Sequence, residues 1–251
     1  MRDTRILMGM PITAEIVGAR DATTIDAVFD YLNLVDARFS TYKDNSEISA
    51  FNRGEVLPAN LSAEMKEVLL LSAITRNQSK GFFEIRKADG TLDPSGIVKG
   101  WAINNAAKII RSLGHVDFFI EAGGDVQSGG KNVEGREWRI GIRSPFHSDE
   151  IIKVVTPRGQ GMATSGTYVR GQHIYNPHEP TKLIEDIISL SVIGPDILEA
   201  DRFATAAFAM GEQGIYLIER SPTRTQQSAK PIRNIARAGT WWCGLESRQQ
   251  N

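Results

Sequence analysis

The chain has 251 residues, of which 41% are apolar and 24% charged, and its formal net charge at pH 7 is −1. These are the proportions of an ordinary globular protein, and the near-neutral charge argues against nucleic acid or an anionic membrane as the main partner. A single cysteine, Cys243, excludes an internal disulfide and a cysteine-rich metal site.

The N-terminal segment, residues 1–8, lacks the long apolar run of a signal peptide and has no early cysteine for a lipid anchor. No window approaches the length of an apolar membrane span. We therefore expect a cytoplasmic protein. No repeat or linker-like composition divides the chain, so we predict one domain over 1–251, with a frayed tail at about 246–251.

Apolar alternation over 12–16 predicts a first strand, and a helical stripe follows over 25–39. The spacing Thr23-x-x-Asp26 is typical of a capping box at the start of this helix. The polar segment 39–52 is a surface loop followed by a short helix, or a loop whose Tyr42 ring lies against a planar ligand.

Ser62 is predicted to cap a second helix that runs to about Ser79, with Met65, Val68, Leu69 and Ile74 on its buried side. Residues 81–85 then form a strand candidate. The stretch that follows places Asp93, a Ser-Gly turn and Lys99 directly before a helical pattern that ends at Gly114. Turn N–H groups, the positive end of the helix and an ammonium together suit a phosphorylated ligand, although a purely structural turn explains the same residues.

Residues 116–121 predict a central strand that ends in Gly123-Gly124. The double glycine either lets the backbone approach a ligand or forms a tight turn capped by Asp125. Alternating residues predict paired strands at 138–142 and 151–156.

Small hydroxyl residues around Gly166, followed by His173, are plausible linings of a polar pocket, although a lone histidine is more often structural. A strand at 189–193 precedes a helix that ends at Gly211. On this helix Asp201 and Thr205 are four residues apart, so both side chains can face one Mg²⁺ ion. In the structural alternative, Thr205 bonds its own helix and Asp201 pairs with a basic group. A closing strand is expected at 238–242.

In this order, and over nearly the whole chain, these segments resemble the ApbE family of FAD:protein FMN transferases. The matching motifs are Met8-Gly9, Phe39-Ser-Thr-Tyr42 with Ser46-Glu-Ile and Asn52, Asp93-x-x-Gly-x-x-Lys-Gly100, Gly123-Gly-Asp125, Thr164-Ser-Gly166, His173-Ile-x-x-Pro177 and Ala200-Asp-x-x-Ala-Thr-Ala206. The resemblance implies an α+β fold with a mixed or antiparallel sheet and packed helices.

The resemblance also implies an enzyme that cleaves FAD at its pyrophosphate with Mg²⁺ or Mn²⁺. FMN would pass to a Ser or Thr hydroxyl of an acceptor flavoprotein, and AMP would leave. The implied metal ligands are Gly96, Asp201 and Thr205, and the implied catalytic residues are His173 and Lys99. The residues implied around FAD are Met8, Tyr42, Phe82, Phe83, Glu84, Asp93, Lys99, Gly123, Gly124, Thr164, Ser165 and Tyr175.

Two alternatives use the same residues. One is a Mg²⁺-dependent FAD pyrophosphatase, in which water replaces the acceptor hydroxyl and FMN and AMP are released. The other is a non-catalytic FAD-binding protein. The chain departs from the family pattern at Met10, where the family has Thr, at Asn176, where many relatives have Asp, and in the segment between Glu84 and Asp93, which is much shortened.

Overall fold

The structure is a computed structural model that describes residues 1–147, 149–167, 174–220 and 231–232. The strands are β1 (Arg2–Leu7), β2 (Met10–Ile16), β3 (Phe118–Ala122), β4 (Asp125–Gly129), β5 (Ile140–Arg143), β6 (Ile151–Val155), β7 (Gly161–Gly166), β8 (Ser189–Gly194) and β9 (Pro231–Ile232). The helices are α1 (Thr23–Phe39), α2 (Glu47–Asn52), α3 (Ala63–Gln78), α4 (Ser95–Ser112), α5 (Ile197–Ala209) and α6 (Gly214–Arg220).

Seven strands form the central sheet in the order β1-β2-β3-β4-β7-β8-β9, and every neighbouring pair is antiparallel. Strands β5 and β6 form a separate antiparallel pair. Helix α4 packs against both α1 and α5, and all three helices pack against the large sheet. The predicted α+β fold with an antiparallel sheet is therefore confirmed.

Each face of the sheet has its own apolar layer because successive side chains of a strand point to opposite faces. Phe118 and Ile120 of β3 pack with the helices in the main core. On the other face, Val126 of β4 and Met162 of β7 pack against Ile140 and the rest of the β5–β6 pair. Helices thus cover one face of the sheet, and the small β-hairpin covers part of the other.

The predicted strand pair at 138–142 and 151–156 is confirmed as β5–β6. Strand β1 was not predicted, because its first four residues are charged or polar and its two apolar residues are adjacent, so this exposed sheet edge shows no apolar alternation. The strand candidate at 81–85 is wrong: the segment is an irregular turn, apart from a single bridge between Arg86 and Leu92 just beyond it.

The helices themselves were predicted more accurately than the residues at which they begin. Helix α1 begins as expected, but Ala22 occupies its N-cap and no side chain caps it, so the capping box is wrong. Helix α4 begins at Ser95, which places Lys99 inside the helix rather than before it. On α3, Ile74 is exposed instead of buried, because it lies beyond the stripe that faces the core.

The predicted cap of α3 is confirmed, since Ser62 Oγ accepts a hydrogen bond of 3.1 Å from the Met65 amide. Replacing Ser62 by alanine removes this acceptor and leaves the amide to water. We expect the free energy of unfolding to fall by about 1 kcal/mol in urea denaturation. Thr23→Ala, at a helix start that uses no side-chain cap, is the control and should change stability by less than about 0.5 kcal/mol.

Two predictions, the strand at 238–242 and the frayed tail at 246–251, lie outside the described residues. The sheet edge that the structure describes near the C-terminus is β9, which pairs with β8. Within the described ranges, none of the helices combines the length and apolar character needed to cross a bilayer.

Candidate functional site

Helices α4 and α5 approach each other closely at Gly100. The Gly100 amide donates a hydrogen bond of 2.7 Å to Asp201 Oδ2, and a Cβ added at Gly100 would lie only 2.6 Å from Asp201 Cβ. Only a residue without a side chain allows this approach. The Asp201 carboxylate, which is 4% exposed, is thereby held against the first turns of α4.

One turn further along α5, Thr205 reaches the same end of α4. Its Oγ1 donates to the Gly96 carbonyl oxygen at 3.3 Å, so its hydroxyl bonds a neighbouring helix and not its own. Neighbouring oxygen ligands of an octahedral Mg²⁺ lie about 3 Å apart, because each Mg–O bond is about 2.1 Å. Thr205 Oγ1 and the Gly96 carbonyl oxygen, two of the three predicted metal ligands, therefore lie at a spacing that fits this ion, and the third, Asp201, lies one turn earlier on the same helix.

Among the described residues there is no group of three or more His, Cys, Asp or Glu side chains that could hold a metal. A metal at the α4–α5 contact would instead have one carboxylate from Asp201 and neutral oxygens from Thr205 and Gly96. Such a set suits Mg²⁺, which usually keeps water and substrate phosphate oxygens in its other positions.

Lys99 places its ammonium beside this group. Its Nζ lies 2.7 Å from Asp125 Oδ2 and 4.0 Å from Asp201 Oδ1. Burial raises the pKa of Asp201 to about 7, the Lys99 ammonium opposes this shift, and the nearby Asp125 carboxylate adds to it. Two buried carboxylates thus share one lysine, and a bound cation would restore the charge balance and favour ionised Asp201.

Asp93 and two tyrosines form a second group beside the start of α4. Asp93 Oδ2 pairs with Lys87 Nζ at 2.9 Å and Oδ1 accepts from the Ser95 amide. Burial alone would raise the pKa of Asp93, but the Lys87 and Ser95 contacts hold that pKa below its usual value. Tyr42 and Tyr175 lie within electrostatic range of Lys87, and Tyr42 is 98% exposed.

The turn before Asp93 supplies the predicted Phe82, Phe83 and Glu84. Phe83 is buried with its ring under Gly96, at 3.4 Å from a Cβ placed there. Phe82 packs edge-on against the His178 ring with centroids 4.5 Å apart. Glu84 is half-buried, pairs with Arg76 at 2.6 Å and accepts a hydrogen bond from the Arg86 amide, so both of its carboxylate oxygens have protein partners.

Met8 and the double glycine lie in two tight turns at one end of the sheet. Met8 and Gly9 join β1 to β2, and Gly123 and Gly124 join β3 to β4, with positive φ at all four residues. The pairing of Ile12 with Ala122 brings both turns to the same sheet end. The tight-turn alternative for Gly123-Gly124 is thus the observed one, but Asp125 is a buried ion-pair partner and not a cap.

Thr164 and Ser165 lie on β7 at this end of the sheet. The Thr164 amide donates to Asp125 Oδ1 at 3.0 Å, but its hydroxyl pairs with Ser191 Oγ at 2.8 Å. Because Asp125 faces the helices, this hydroxyl lies on the opposite side of the sheet from Lys99. Ser165 is buried. His173 lies outside the described residues, and its assignment as the base stays a prediction.

Two residues of this region, Asp125 and Lys87, were not assigned to the active site from the sequence. Asp125 follows a double glycine at a strand end, a position that equally suits a turn cap, and its pairing with Lys99 joins distant parts of the chain. Lys87 lies in the shortened segment before Asp93. The only sequence signal for a role of Lys87 is that it is a basic residue close along the chain to the candidate site residue Asp93.

Residues 8–89 and 85–227 match the profile of the ApbE family. A FAD:protein FMN transferase of Haemophilus influenzae is 24% identical over 78% of this chain and 75% of its own length. One from Vibrio cholerae is 25% identical over 78% of this chain and 76% of its own length. The solved structure of the flavin transferase ApbE from Vibrio cholerae superimposes with a TM-score of 0.78 at 21% identity, covering 88% of this chain and 90% of that chain. The predictions of fold and of enzyme class are confirmed, and the chain belongs to the ApbE family.

Proposed function

We propose that this chain is a Mg²⁺-dependent transferase that moves FMN from FAD to a Ser or Thr hydroxyl of an acceptor flavoprotein and releases AMP. The observation that carries the proposal is the convergence of Gly96 O, Asp201 and Thr205 beside the Lys99 ammonium. These are the oxygen ligands and the positive charge that a pyrophosphate substrate requires. The names of the relatives support FAD as the donor.

The reaction forms a bond between the acceptor hydroxyl oxygen and the phosphorus of the FMN half. The bond from that phosphorus to the bridging oxygen breaks, and AMP leaves with the electron pair. The hydroxyl proton passes to a base, for which His173 is our candidate, and such a base contributes on the order of 10²–10⁴-fold.

The site residues act mainly by holding charge in fixed positions. When bound, the metal masks the negative charge of the pyrophosphate and stabilises the leaving phosphate. Lys99 extends from the second turn of α4 and adds a second positive charge on the same side. The Asp201 carboxylate accepts a hydrogen bond of 2.7 Å from the Gly100 amide. Because this contact already fixes the Asp201 side chain, that side chain does not have to become ordered when substrate binds.

The second group of residues suits the aromatic parts of FAD. Tyr42 exposes nearly its whole ring beside the Lys87–Asp93 pair, and Tyr175 lies near the same pair. Flat rings next to a fixed charge pair offer stacking together with polar contacts to a nucleotide or a flavin. We therefore propose that Lys87, in the short segment before Asp93, contributes to FAD binding.

The role of Tyr42 has a direct test. Because its side chain is 98% exposed, Tyr42→Ala should leave thermal stability unchanged. Loss of one stacking contact, worth about 0.5–1.5 kcal/mol, should raise the KM for FAD roughly 2- to 12-fold with kcat nearly retained. Tyr216→Ala, at an exposed tyrosine of α6, is the control and should change neither constant. An unchanged KM in Tyr42→Ala would exclude the ring from FAD binding.

The proposed activity is tested by chromatography of FAD incubated with the purified protein, with and without Mg²⁺ and with and without a Ser/Thr acceptor domain. We expect AMP only when metal and acceptor are both present, together with flavin fluorescence on the acceptor band. AMP and free FMN at the same rate without acceptor would identify the protein as an FAD pyrophosphatase. Intact FAD bound in excess Mg²⁺ would identify a flavin-binding protein.

A further inference from the structure

The Lys99 ammonium is held unequally by two buried carboxylates. It lies 2.7 Å from Asp125 Oδ2 but 4.0 Å from Asp201 Oδ1. Asp201 is the proposed metal ligand, and Asp125 has no assigned role in the reaction. The closer contact is an ion pair with the buried Asp125 carboxylate, which also interacts with the Asp201 side chain. The lysine is thus drawn towards the carboxylate that the metal does not use.

Asp125 is itself rigidly placed. It begins β4 directly after the Gly123-Gly124 turn, its side chain is fully buried, and its Oδ1 accepts from the Thr164 amide at 3.0 Å. Both of its neighbouring strands, β3 and β7, belong to the centre of the sheet. Lys99 has a long flexible side chain, so the position of its ammonium follows from the carboxylate that attracts it.

We propose that Asp125 is a positioning residue that holds the Lys99 ammonium away from Asp201, so that the Asp201 carboxylate stays available to the metal. This inference rests on the proposed metal site. Without the Asp125 charge, Asp201 is the nearest buried anion to the ammonium, and Lys99 would move into direct contact with it. Lysine and metal would then compete for the same carboxylate.

The size of this competition follows from the distances. Moving the ammonium from 4.0 Å to about 3 Å from Asp201 strengthens their attraction by a factor of about ten in the equilibrium constant at an effective dielectric constant of about 20. A metal ion must overcome this additional attraction when it binds. Loss of Asp125 therefore weakens metal binding in two ways: it removes a nearby negative charge, and it releases Lys99.

A double-mutant cycle separates these two effects. Binding of Mn²⁺ is measured by titration calorimetry for the unchanged protein, Asp125→Asn, Lys99→Met and the double variant, without FAD. The charge effect of Asp125→Asn is present in both backgrounds, whereas the release of Lys99 requires Lys99. We expect Asp125→Asn to weaken Mn²⁺ binding about tenfold more when Lys99 is present than when it is methionine.

Equal losses in the two backgrounds would overturn the inference, because they would show that Asp125 acts by its charge alone or as a direct ligand. Absence of Mn²⁺ binding by the unchanged protein would overturn the proposed metal site as well, so the two failures are distinguishable. If Asp125→Asn does not fold, Asp125→Ser replaces it in the cycle, since a hydroxyl can still accept from the Thr164 amide. The metal-dependent shift in Tm then serves as the readout for marginally stable variants.

Discussion

Replacing Asp201 by asparagine is expected to abolish metal-dependent transfer and to lower kcat by about a thousandfold or more. The metal supplies several kcal/mol of transition-state stabilisation, and each 1.36 kcal/mol corresponds to about tenfold in rate. Asparagine keeps the shape of the side chain and can still accept from the Gly100 amide, so the α4–α5 contact is retained. Loss of the charge alone should therefore remove Mn²⁺ binding in calorimetry while the protein stays folded.

The matched control is Asp30→Asn, at an exposed carboxylate of α1, which should leave Mn²⁺ affinity and kcat unchanged. Thermal unfolding of Asp201→Asn in the absence of metal checks that its fold persists. Neutralising one buried carboxylate in a group of two carboxylates and one lysine should stabilise the metal-free protein. Full activity of a folded Asp201→Asn variant would rule out the proposed metal site.

Gly100→Ala is expected to have the second large effect, on stability and metal binding together. An added Cβ would lie 2.6 Å from Asp201 Cβ and 2.8 Å from the Ile197 carbonyl oxygen, so α4 and α5 must move apart. Overpacking of this kind lowers the free energy of unfolding by about 1–3 kcal/mol. Separation of the helices also displaces Asp201 from Gly96, which should weaken Mn²⁺ binding.

The expected decrease in the free energy of unfolding of Gly100→Ala is opposite in sign to the usual effect of this substitution in a helix. In a helix with free space, glycine to alanine raises stability by about 1 kcal/mol, and at Gly100 we expect the opposite. Lys108→Ala on the exposed side of the same helix is the control, with an expected change within about 0.5 kcal/mol. Urea denaturation and calorimetry give both quantities, and a stabilised Gly100→Ala variant with unchanged Mn²⁺ affinity would contradict the helix contact.

Sequence patterns predicted the structure correctly where it depends on residues that are close together in the sequence. The apolar stripe of α1, the Ser62 cap of α3 and the alternation of β5 and β6 act over a few residues, and all three are confirmed. The strand at 81–85 failed because Phe83 is buried under a helix end and not in a sheet. A short apolar run gives the same signal for both kinds of burial.

The sequence by itself determined the fold class, the helix that carries Asp201 and Thr205 on one face, and the chemical types of the proposed ligands. Helical periodicity is a local property, and the order of the motifs is read directly along the chain, so neither requires a structure. The tertiary structure alone decided that Thr205 bonds Gly96, 109 residues away, and that Asp125 shares Lys99 with Asp201. Contacts between distant segments depend on how helices and strands pack, and no spacing along the chain encodes the 2.7 Å and 4.0 Å distances that divide the lysine between its two carboxylates.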